Sequence, residues 1–440
     1  MPTTGTGIPL PLWAVQGVYA KDIPRDDTVM SRRDKTWLPG GNFKFKVANF
    51  TGSAATGRDG FSLYGVDGVN PAFVFDGTST QFIETGVAIT GFKDNPNSLA
   101  VLPSQMLALG YNEGTVMLSS VGDPTQFSVA AGAAEIAVSD PVVDLMVQPA
   151  GNLAIFCNSS VKILSGKTVN DFELTTFSER LAATTNSIQP LGDTVFLSDD
   201  GLNRLARVDE FGDYRDAPLS EKIKPLLDKL KRHVMCSWMV ASNNEYRIMF
   251  RGGLGVIMKC DGPSVVGFST FDYKVPLSCA WSSEAETEQE YIYAGSAETG
   301  YVYRLEHGDS FDGQKIESVM STAFNFGGSV EQRKRFKKVM LELDTSESAQ
   351  LQVRAELDYA SPEAPPLYPH EIKYDGGGGF YDLSYFQSIL WSEGHQNPTD
   401  AYVIGVGRNL SLAVYSEHDE EPPHRLSAYI LHWSMRGRRR

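Results

Sequence analysis

The sequence is poor in the residues that build metal sites, disulfides and membrane spans. It has four cysteines and seven histidines in 440 residues, and the cysteines form no CxxC pair and have no histidine at metal-ligand spacing. We therefore expect buried, unpaired thiols in a protein made in a reducing cytosol, with no metal or other cofactor. No apolar run approaches the roughly eighteen residues of a membrane span. The N-terminus, with no basic start and a short, proline-broken apolar run, does not resemble a signal peptide.

Positive charge is also scarce. The chain carries 39 Lys and Arg against 54 Asp and Glu, which gives a formal net charge of -15 at pH 7. This balance argues against coating nucleic acid and against docking on anionic lipid, because both need a basic surface. With 42% hydrophobic and 21% charged residues, the chain has an ordinary globular composition and is long enough for two or three domains.

What the sequence has instead is a series of hairpins. In "YIYAGSAETGYVYRL" (residues 291–305), two tyrosine-rich runs flank a small polar turn, and both faces of each run are apolar. Six such hairpins have turn centres near 77, 113, 158, 200, 252 and 297, a spacing of about 36 to 52 residues. That interval is typical of four-stranded propeller blades, whose middle strands are covered on both faces by neighbouring blades. A large β-sandwich remains the alternative.

Two regions depart from the hairpin pattern. Apolar residues at helical spacing predict a helix near 220–234, with Ser220 as N-cap and a regular start only near 222–224 because of Pro225. Its lysine-rich side is either a solvated face or a basic docking surface. Beyond 314, clean alternation as in "AQLQVRAELDYA" (349–360), with Leu351 to Tyr359 on one face, predicts half-exposed antiparallel strands.

These patterns predict an all-β protein made of a β-propeller of about six blades and a β-sandwich-like platform domain. The propeller spans 60–313, and the platform spans 314–440 with a Pro/Gly-rich loop at 361–379. Residues 1–59 hold few clean strands. We therefore interpret them as an N-terminal arm that packs on the platform or on a neighbouring subunit.

Motifs with catalytic or metal-binding potential are weak. Four glycines, Gly376 to Gly379, lack the Lys-Ser or Lys-Thr of a phosphate-binding loop. "SDDG" (198–201) resembles one sialidase Asp-box without its tryptophan, and also suits an aspartate-stabilised turn. "HDEEPPH" (418–424) is either a solvated acidic loop or a metal site. No group of residues combines an acid, a base and a nucleophile, so we predict that the protein is not an enzyme.

The two ends of the chain are the candidate partner-binding segments. Tryptophan and arginine are the residue types that most often anchor interfaces. Both occur near the termini, in the N-terminal arm and the arginine tail, which look incomplete alone. The candidate partner-binding residues are Trp13, Trp37, Arg436, Arg438, Arg439 and Arg440.

Five fragments, in this order, resemble the tail nozzle family of short-tailed bacteriophages, also called packaged-DNA stabilisation proteins. They are "VMLSSVGDPTQF" (116–127), "NLAIFCNSSVKILSG" (152–166), "SIQPLGDTVFLSDDGLNRLARV" (187–208) followed by "LSEKI" (219–223), "YIYAGSAETGYVYRL" (291–305) and "ILHWSMRGRRR" (430–440). The resemblance runs from about residue 58 to the end of the chain and is lowest in the N-terminal arm.

The resemblance implies a structural virion protein, located in the virion tail and assembled in the host cytoplasm. Such proteins form a homo-oligomeric ring, typically of six subunits, below the portal and its adaptor (head-to-tail connector) protein. They extend the channel through which double-stranded DNA passes without specific binding, and they help retain the genome until ejection. Attachment of tail fibres, spikes or a needle is left open. The alternatives are a propeller-type glycan-acting enzyme, which would need paired carboxylates in a central pocket, and a peptide-binding propeller scaffold.

Overall fold

The computed structural model describes residues 44–52, 60–86, 93–179, 181–207, 214–284, 290–308, 310–345, 349–360, 370–374, 399–418 and 424–436. The chain divides into two compact units, Met1–Glu306 and His307–Arg440, which we call the propeller unit and the sandwich unit. The division lies slightly before the boundary at 313/314 that the sequence predicted.

Six antiparallel sheets form the described part of the propeller unit, and each is a meander in chain order. Blade 1 holds β1 (Lys44–Ala48), β2 (Ser62–Val66), β3 (Phe73–Phe75) and β4 (Thr80–Phe82). Blade 2 holds β5 (Ser98–Val101), β6 (Leu107–Tyr111), β7 (Thr115–Leu118) and β8 (Ala134–Ala137). Blade 3 holds β9 (Val142–Val147), β10 (Leu153–Cys157), β11 (Val161–Ser165) and β12 (Glu173–Ser178).

The remaining three blades follow the same plan. Blade 4 holds β13 (Gln189–Leu191), β14 (Asp193–Ser198), β15 (Gly201–Arg207) and β16 (Tyr214–Pro218). Blade 5 holds β17 (Val234–Val240), β18 (Glu245–Phe250), β19 (Leu254–Asp261) and β20 (Ser264–Asp272). Blade 6 has three strands among the described residues, β21 (Leu277–Glu284), β22 (Glu290–Ser296) and β23 (Val302–Leu305).

Blade 1 begins earlier than the sequence indicated. Strand β1 pairs with β2 in register, Lys44 opposite Val66 and Ala48 opposite Ser62. It lies inside the segment 1–59 that we interpreted as an arm, so the propeller includes at least residues 44–48 of that segment. Lys44 and Lys46 flank Phe45 in β1, as expected of a strand with one polar side.

The two apolar faces of the hairpins are covered by two different cores. In β10, Leu153, Ile155 and Cys157 pack in a cluster with residues of blade 2, whereas Ala154 and Phe156 pack with blade 4. All five residues are fully buried. Because side chains alternate across a strand, a blade between two neighbours must be apolar on both faces. The propeller prediction is confirmed on this point, and the single-sandwich alternative is wrong.

Each pair of neighbouring blades is tied together near the first strands, and the ring closes. Five polar ties connect consecutive blades: Asn95 Nδ2 to Gly68 O at 3.0 Å, Asn97 Nδ2 to Val142 O at 2.7 Å, Gln148 Nε2 to Thr194 Oγ1 at 2.9 Å, Gln189 Nε2 to Ser237 O at 2.9 Å and Ser282 Oγ to Met239 O at 2.6 Å. Blade 6 meets blade 1 through the rings of Trp281 and Phe45, whose centroids are 6.0 Å apart.

The helix α1 is short, Lys224–Leu230, with 3₁₀ turns at Glu221–Ile223 and Lys231–His233. It begins where the position of Pro225 led us to expect. Ser220 does not cap it; its Oγ instead accepts the Leu202 N–H at 2.8 Å. Part of its basic side is paired, because Lys224 and Lys231 lie 3.7 and 3.3 Å from the carboxylates of Asp200 and Asp199.

The sandwich unit has two sheets. One has the order β24 (Ile316–Ser321), β29 (Leu410–His418), β26 (Ala349–Leu357), β27 (His370–Tyr374), and the other has the order β28 (Thr399–Gly407), β25 (Lys334–Thr345), β30 (His424–Met435). Leu351, Val353 and Leu357 join the core between them, as the alternation predicted, whereas Tyr359 lies beyond the strand end and is 63% exposed. The all-β fold, propeller plus sandwich, is therefore confirmed.

Candidate functional site

The centre of the propeller is a cavity of about 320 Å³ that we call the central cavity. The first strand of every blade lines it: residues 44–46 of β1, Leu99 of β5, 144–146 of β9, 189–190 of β13, 236–239 of β17 and 280–282 of β21. Its volume is within the range of small-molecule pockets. The cavity therefore exists only because the ring is closed, and no single segment of the sequence contains it.

One ion pair crosses the central cavity. The Lys44 ammonium lies 3.0 Å from Asp144 Oδ2, and both side chains are largely buried. Lys44 also donates to the Val143 carbonyl oxygen at 3.0 Å, and Asp144 accepts the Leu145 N–H at 2.9 Å. The pair links blade 1 to blade 3 and satisfies both charges with additional hydrogen bonds, as a buried ion pair requires.

A second lysine has no such partner. Lys46 lies two residues further along β1, lines the central cavity, and makes no hydrogen bond or ion pair with any described residue. Its side chain reaches cavity solvent, yet the inner strands surround it closely. That burial lowers the pKa of Lys46, and the charge of Lys44 acts in the same direction, while Asp144 opposes them.

Two other polar side chains of the cavity wall, Ser237 and Gln189, are engaged. Ser237 Oγ donates to the Asn186 carbonyl oxygen at 2.7 Å, and Gln189 Nε2 donates to the Ser237 carbonyl oxygen at 2.9 Å. The indole N–H of Trp238 is buried and has no acceptor among the described residues. Trp281, 39% exposed beside Phe45, supplies an aromatic surface. The described residues contribute one carboxylate to the wall, Asp144, and it is already paired.

The other sequence motifs occupy turns or lie outside the described residues. In "SDDG", Ser198 Oγ accepts from the Asp200 N–H and from Asn203 Nδ2 within the β14–β15 turn, which supports the structural interpretation. Gly376 to Gly379 and most of "HDEEPPH" lie outside the described residues. Within the described ranges, no three His, Cys, Asp or Glu side chains are placed to hold a metal ion. All four cysteines are buried and unpaired.

The sandwich unit exposes apolar side chains on the face of the β28–β25–β30 sheet that points away from the core. We call this the outer face. Tyr402, Ile404 and Ile430 are 62%, 66% and 44% exposed, and they alternate with core residues along β28 and β30. Lys338 lies between Tyr402 and His432 in register and pairs with Asp400 at 2.7 Å.

Of the predicted partner-binding residues, the structure describes one. Arg436 follows β30 directly, its backbone N–H donates to the Arg333 carbonyl oxygen at 3.0 Å, and its side chain is exposed. Trp13, Trp37, Arg438, Arg439 and Arg440 lie outside the described residues. The sequence reasoning missed Lys44, Lys46 and Asp144. The alternation in "KFKVA" (44–48) was the available signal for a strand with two lysines on one side.

Comparisons with known proteins give no family. No protein-family model matches the chain, and no curated protein matches it. A solved structure, the β-propeller domain of Cps50 (Swd1) from Myceliophteria thermophila, is similar with a TM-score of 0.39 and 10% sequence identity, over 59% of this chain and 83% of that one. At that similarity the comparison carries no functional argument. In the described part of the chain, no helix is long and apolar enough to cross a membrane.

Proposed function

We propose that this chain is a structural protein of a phage virion tail, a nozzle subunit that assembles into a ring below the portal adaptor and surrounds the path of the DNA. The observation that carries the proposal is the order of the five sequence fragments that resemble the nozzle family. They occupy blades 2, 3, 4 and 6 and the last strand of the sandwich unit, so they follow the fold from one end to the other.

Polar side chains in these fragments stabilise the blades through local hydrogen bonds. In "VMLSSVGDPTQF", the buried Ser119 Oγ accepts the Leu107 N–H at 2.9 Å, and Asp123 Oδ1 accepts the Thr125 N–H at 3.0 Å. In "YIYAGSAETGYVYRL", Ser296 Oγ accepts the Thr299 N–H at 3.0 Å. Such residues define turns, so the resemblance concerns a shared scaffold, as expected of a family with a structural role.

The size of the central cavity bears on where DNA would pass. A cavity of about 320 Å³ is far too small for a duplex, whose major groove alone is about 12 Å wide. In the proposed ring, the DNA channel is therefore the lumen between subunits and not the propeller axis. A net charge of -15 per chain, repeated around the ring, would repel the phosphate backbone and let DNA slide without adhering.

The outer face supports placing the subunit contacts on the sandwich unit. Several exposed apolar residues on one sheet face, here Tyr402, Ile404 and Ile430, are typical of interaction surfaces, whereas single scattered ones are ordinary. Strand β30 of this sheet leads directly into the exposed Arg436. We infer that this end of the protein holds neighbouring subunits and the adaptor together, with arginines pairing with acidic groups of the partner.

The experiment is assembly of the full chain and of two charge variants. We expect rings of the wild type by mass photometry and negative-stain electron microscopy, alone or with the portal adaptor. Tyr402→Glu combined with Ile404→Glu is expected to prevent assembly, because two charges would be buried in the contact. Val129→Glu is the control, since Val129 is 79% exposed on the propeller. A wild type that stays monomeric with the adaptor, or a Val129→Glu variant that alone fails to assemble, would contradict the proposal.

A further inference from the structure

Among the described residues, the wall of the central cavity has an excess of one positive charge. Its charged wall residues are Lys44, Lys46 and Asp144, and Asp144 is already neutralised by Lys44. Lys46 lines the cavity with its side chain exposed to the cavity solvent, and its ammonium has no protein counter-ion among the described residues. In a chain with a net charge of -15, where carboxylates are abundant, the lack of one opposite Lys46 calls for an explanation.

Much of the remaining wall is apolar. Leu99, Leu145 and Ile188 contribute aliphatic surface, and Phe45 and Trp281 contribute aromatic surface beside the lysine strand. Pockets with this composition, an apolar wall with few polar groups, bind amphipathic small molecules and use the polar group to orient them. Phe45 lies on the same inner strand as Lys46, and Trp281 lies on the adjacent inner strand. One ligand can therefore contact the aromatic pair and Lys46.

We propose that the central cavity binds a single carboxylate attached to an apolar body, with the Lys46 ammonium as its counter-ion. One negative charge balances the excess of one positive charge. A dianion such as phosphate would leave an uncompensated charge next to Asp144, which is costly in a partly desolvated site. The carboxylate comes either from a free small acid or from the C-terminus of a peptide. This inference does not depend on the role in a virion tail.

The test uses three probes that separate charge from body, applied to the full chain by isothermal titration calorimetry. Phenylacetate carries both features, phenylacetamide only the body, and acetate only the charge. We expect phenylacetate to bind at least about tenfold more tightly than either, since a charge-assisted hydrogen bond contributes about 1.5–3 kcal/mol. A tripeptide ending in Phe, as free acid and as C-terminal amide, distinguishes the peptide source: preference for the acid form over phenylacetate would identify a peptide terminus.

Variants assign the effect to Lys46. Lys46→Met is expected to remove the preference of phenylacetate over phenylacetamide, and Lys46→Arg to keep it. Lys229→Met, on the exposed side of α1, is the matched control and should change nothing. Circular dichroism and thermal unfolding check that each variant is folded. If Lys46→Met does not fold, Lys46→Arg still tests the proposal. Equal affinity of the wild type for phenylacetate and phenylacetamide, or no binding of any probe, would overturn the proposal.

Discussion

Gly255 in blade 5 is covered by an aromatic ring, and replacing it tests the packing of that blade. The residue lies opposite Phe271 in the β19–β20 pair. A Cβ added at Gly255 would lie 2.0 Å from Phe271 Cζ and 2.3 Å from Cε1. The ring cannot easily move away, because it packs against Trp238 and Tyr273 at centroid distances of 5.8 and 4.9 Å.

Gly267 provides the matched control within the same sheet. It lies in β20 opposite Lys259, and a Cβ there would meet nothing within 4 Å. Gly267→Ala is expected to stabilise by about 0.5–1 kcal/mol, because alanine restricts the unfolded backbone. Gly255→Ala gains the same term but adds overpacking of about 1–3 kcal/mol. The backbone term cancels between the two variants, so their free energies of unfolding should differ by about 1–3 kcal/mol.

The assay is urea unfolding of the full chain, followed by the fluorescence of the tryptophans, with attention to separate transitions of the two units. Adding Phe271→Leu to Gly255→Ala should recover part of the lost stability, because it removes the atoms that the new Cβ would meet. Equal free energies of unfolding for Gly255→Ala and Gly267→Ala would refute the reasoning, because the Phe271 side chain would then move aside without a loss of stability.

Four further predictions follow from the sequence and the fold. The cysteines should react with a disulfide reagent only after denaturation, because burial raises the pKa of Cys157 and Cys279 to about 11; rapid native reaction would contradict this. Burial lowers the pKa of Lys46, so the unfolded state binds more protons between that pKa and 10.5. The free energy of unfolding should therefore rise with pH across this window, and less so in Lys46→Met; identical pH profiles would exclude the effect. Gel-shift titration should show weak binding of duplex DNA at physiological salt. Sub-micromolar affinity with a steep salt dependence would mean that basic residues line the path of the DNA. Deletion of residues 436–440 or 1–20 should impair ring formation and loading onto tails. Normal assembly of both deletion variants would mean that the propeller holds the ring together.

The blades could be predicted from the sequence because their signal is local. A strand such as β10, with five consecutive apolar residues between turn residues, must be buried on both faces, and the recurrence of such hairpins indicates a ring of blades. The sequence signal for the sandwich was equally local, since Leu351, Val353 and Ala355 alternate with less buried residues along β26. The cause in both cases is the two-residue period of a strand, which shows which sides must be covered.

The central cavity could not be predicted in this way. Lys44 and Asp144 belong to different blades and meet only when the ring has closed. Their hydrogen bonds, and those from Asn97 to Val142, depend on non-local geometry. Residues 1–59 hold few clean strands, so the whole segment, β1 included, was interpreted as an arm. A polar side on an inner propeller strand can face either bulk solvent or an enclosed cavity. Only the structure of the closed ring shows which of the two it faces.

Charged side chains join blade 6 to blade 5. Among the described residues, blade 6 has no fourth strand, and side chains hold it in place. Arg247 of blade 5, 4% exposed, contacts Glu245 at 2.7 Å and Glu306 at 2.5 Å, and it donates to the Tyr273 hydroxyl at 3.1 Å. Glu290 of blade 6 accepts the Ala241 N–H of blade 5 at 2.8 Å. A planar guanidinium with several donors suits this position, because it can bind two carboxylates and a hydroxyl at once. Glu306, the last residue of the propeller unit, is thereby fixed to blade 5 at the point where the chain leaves blade 6.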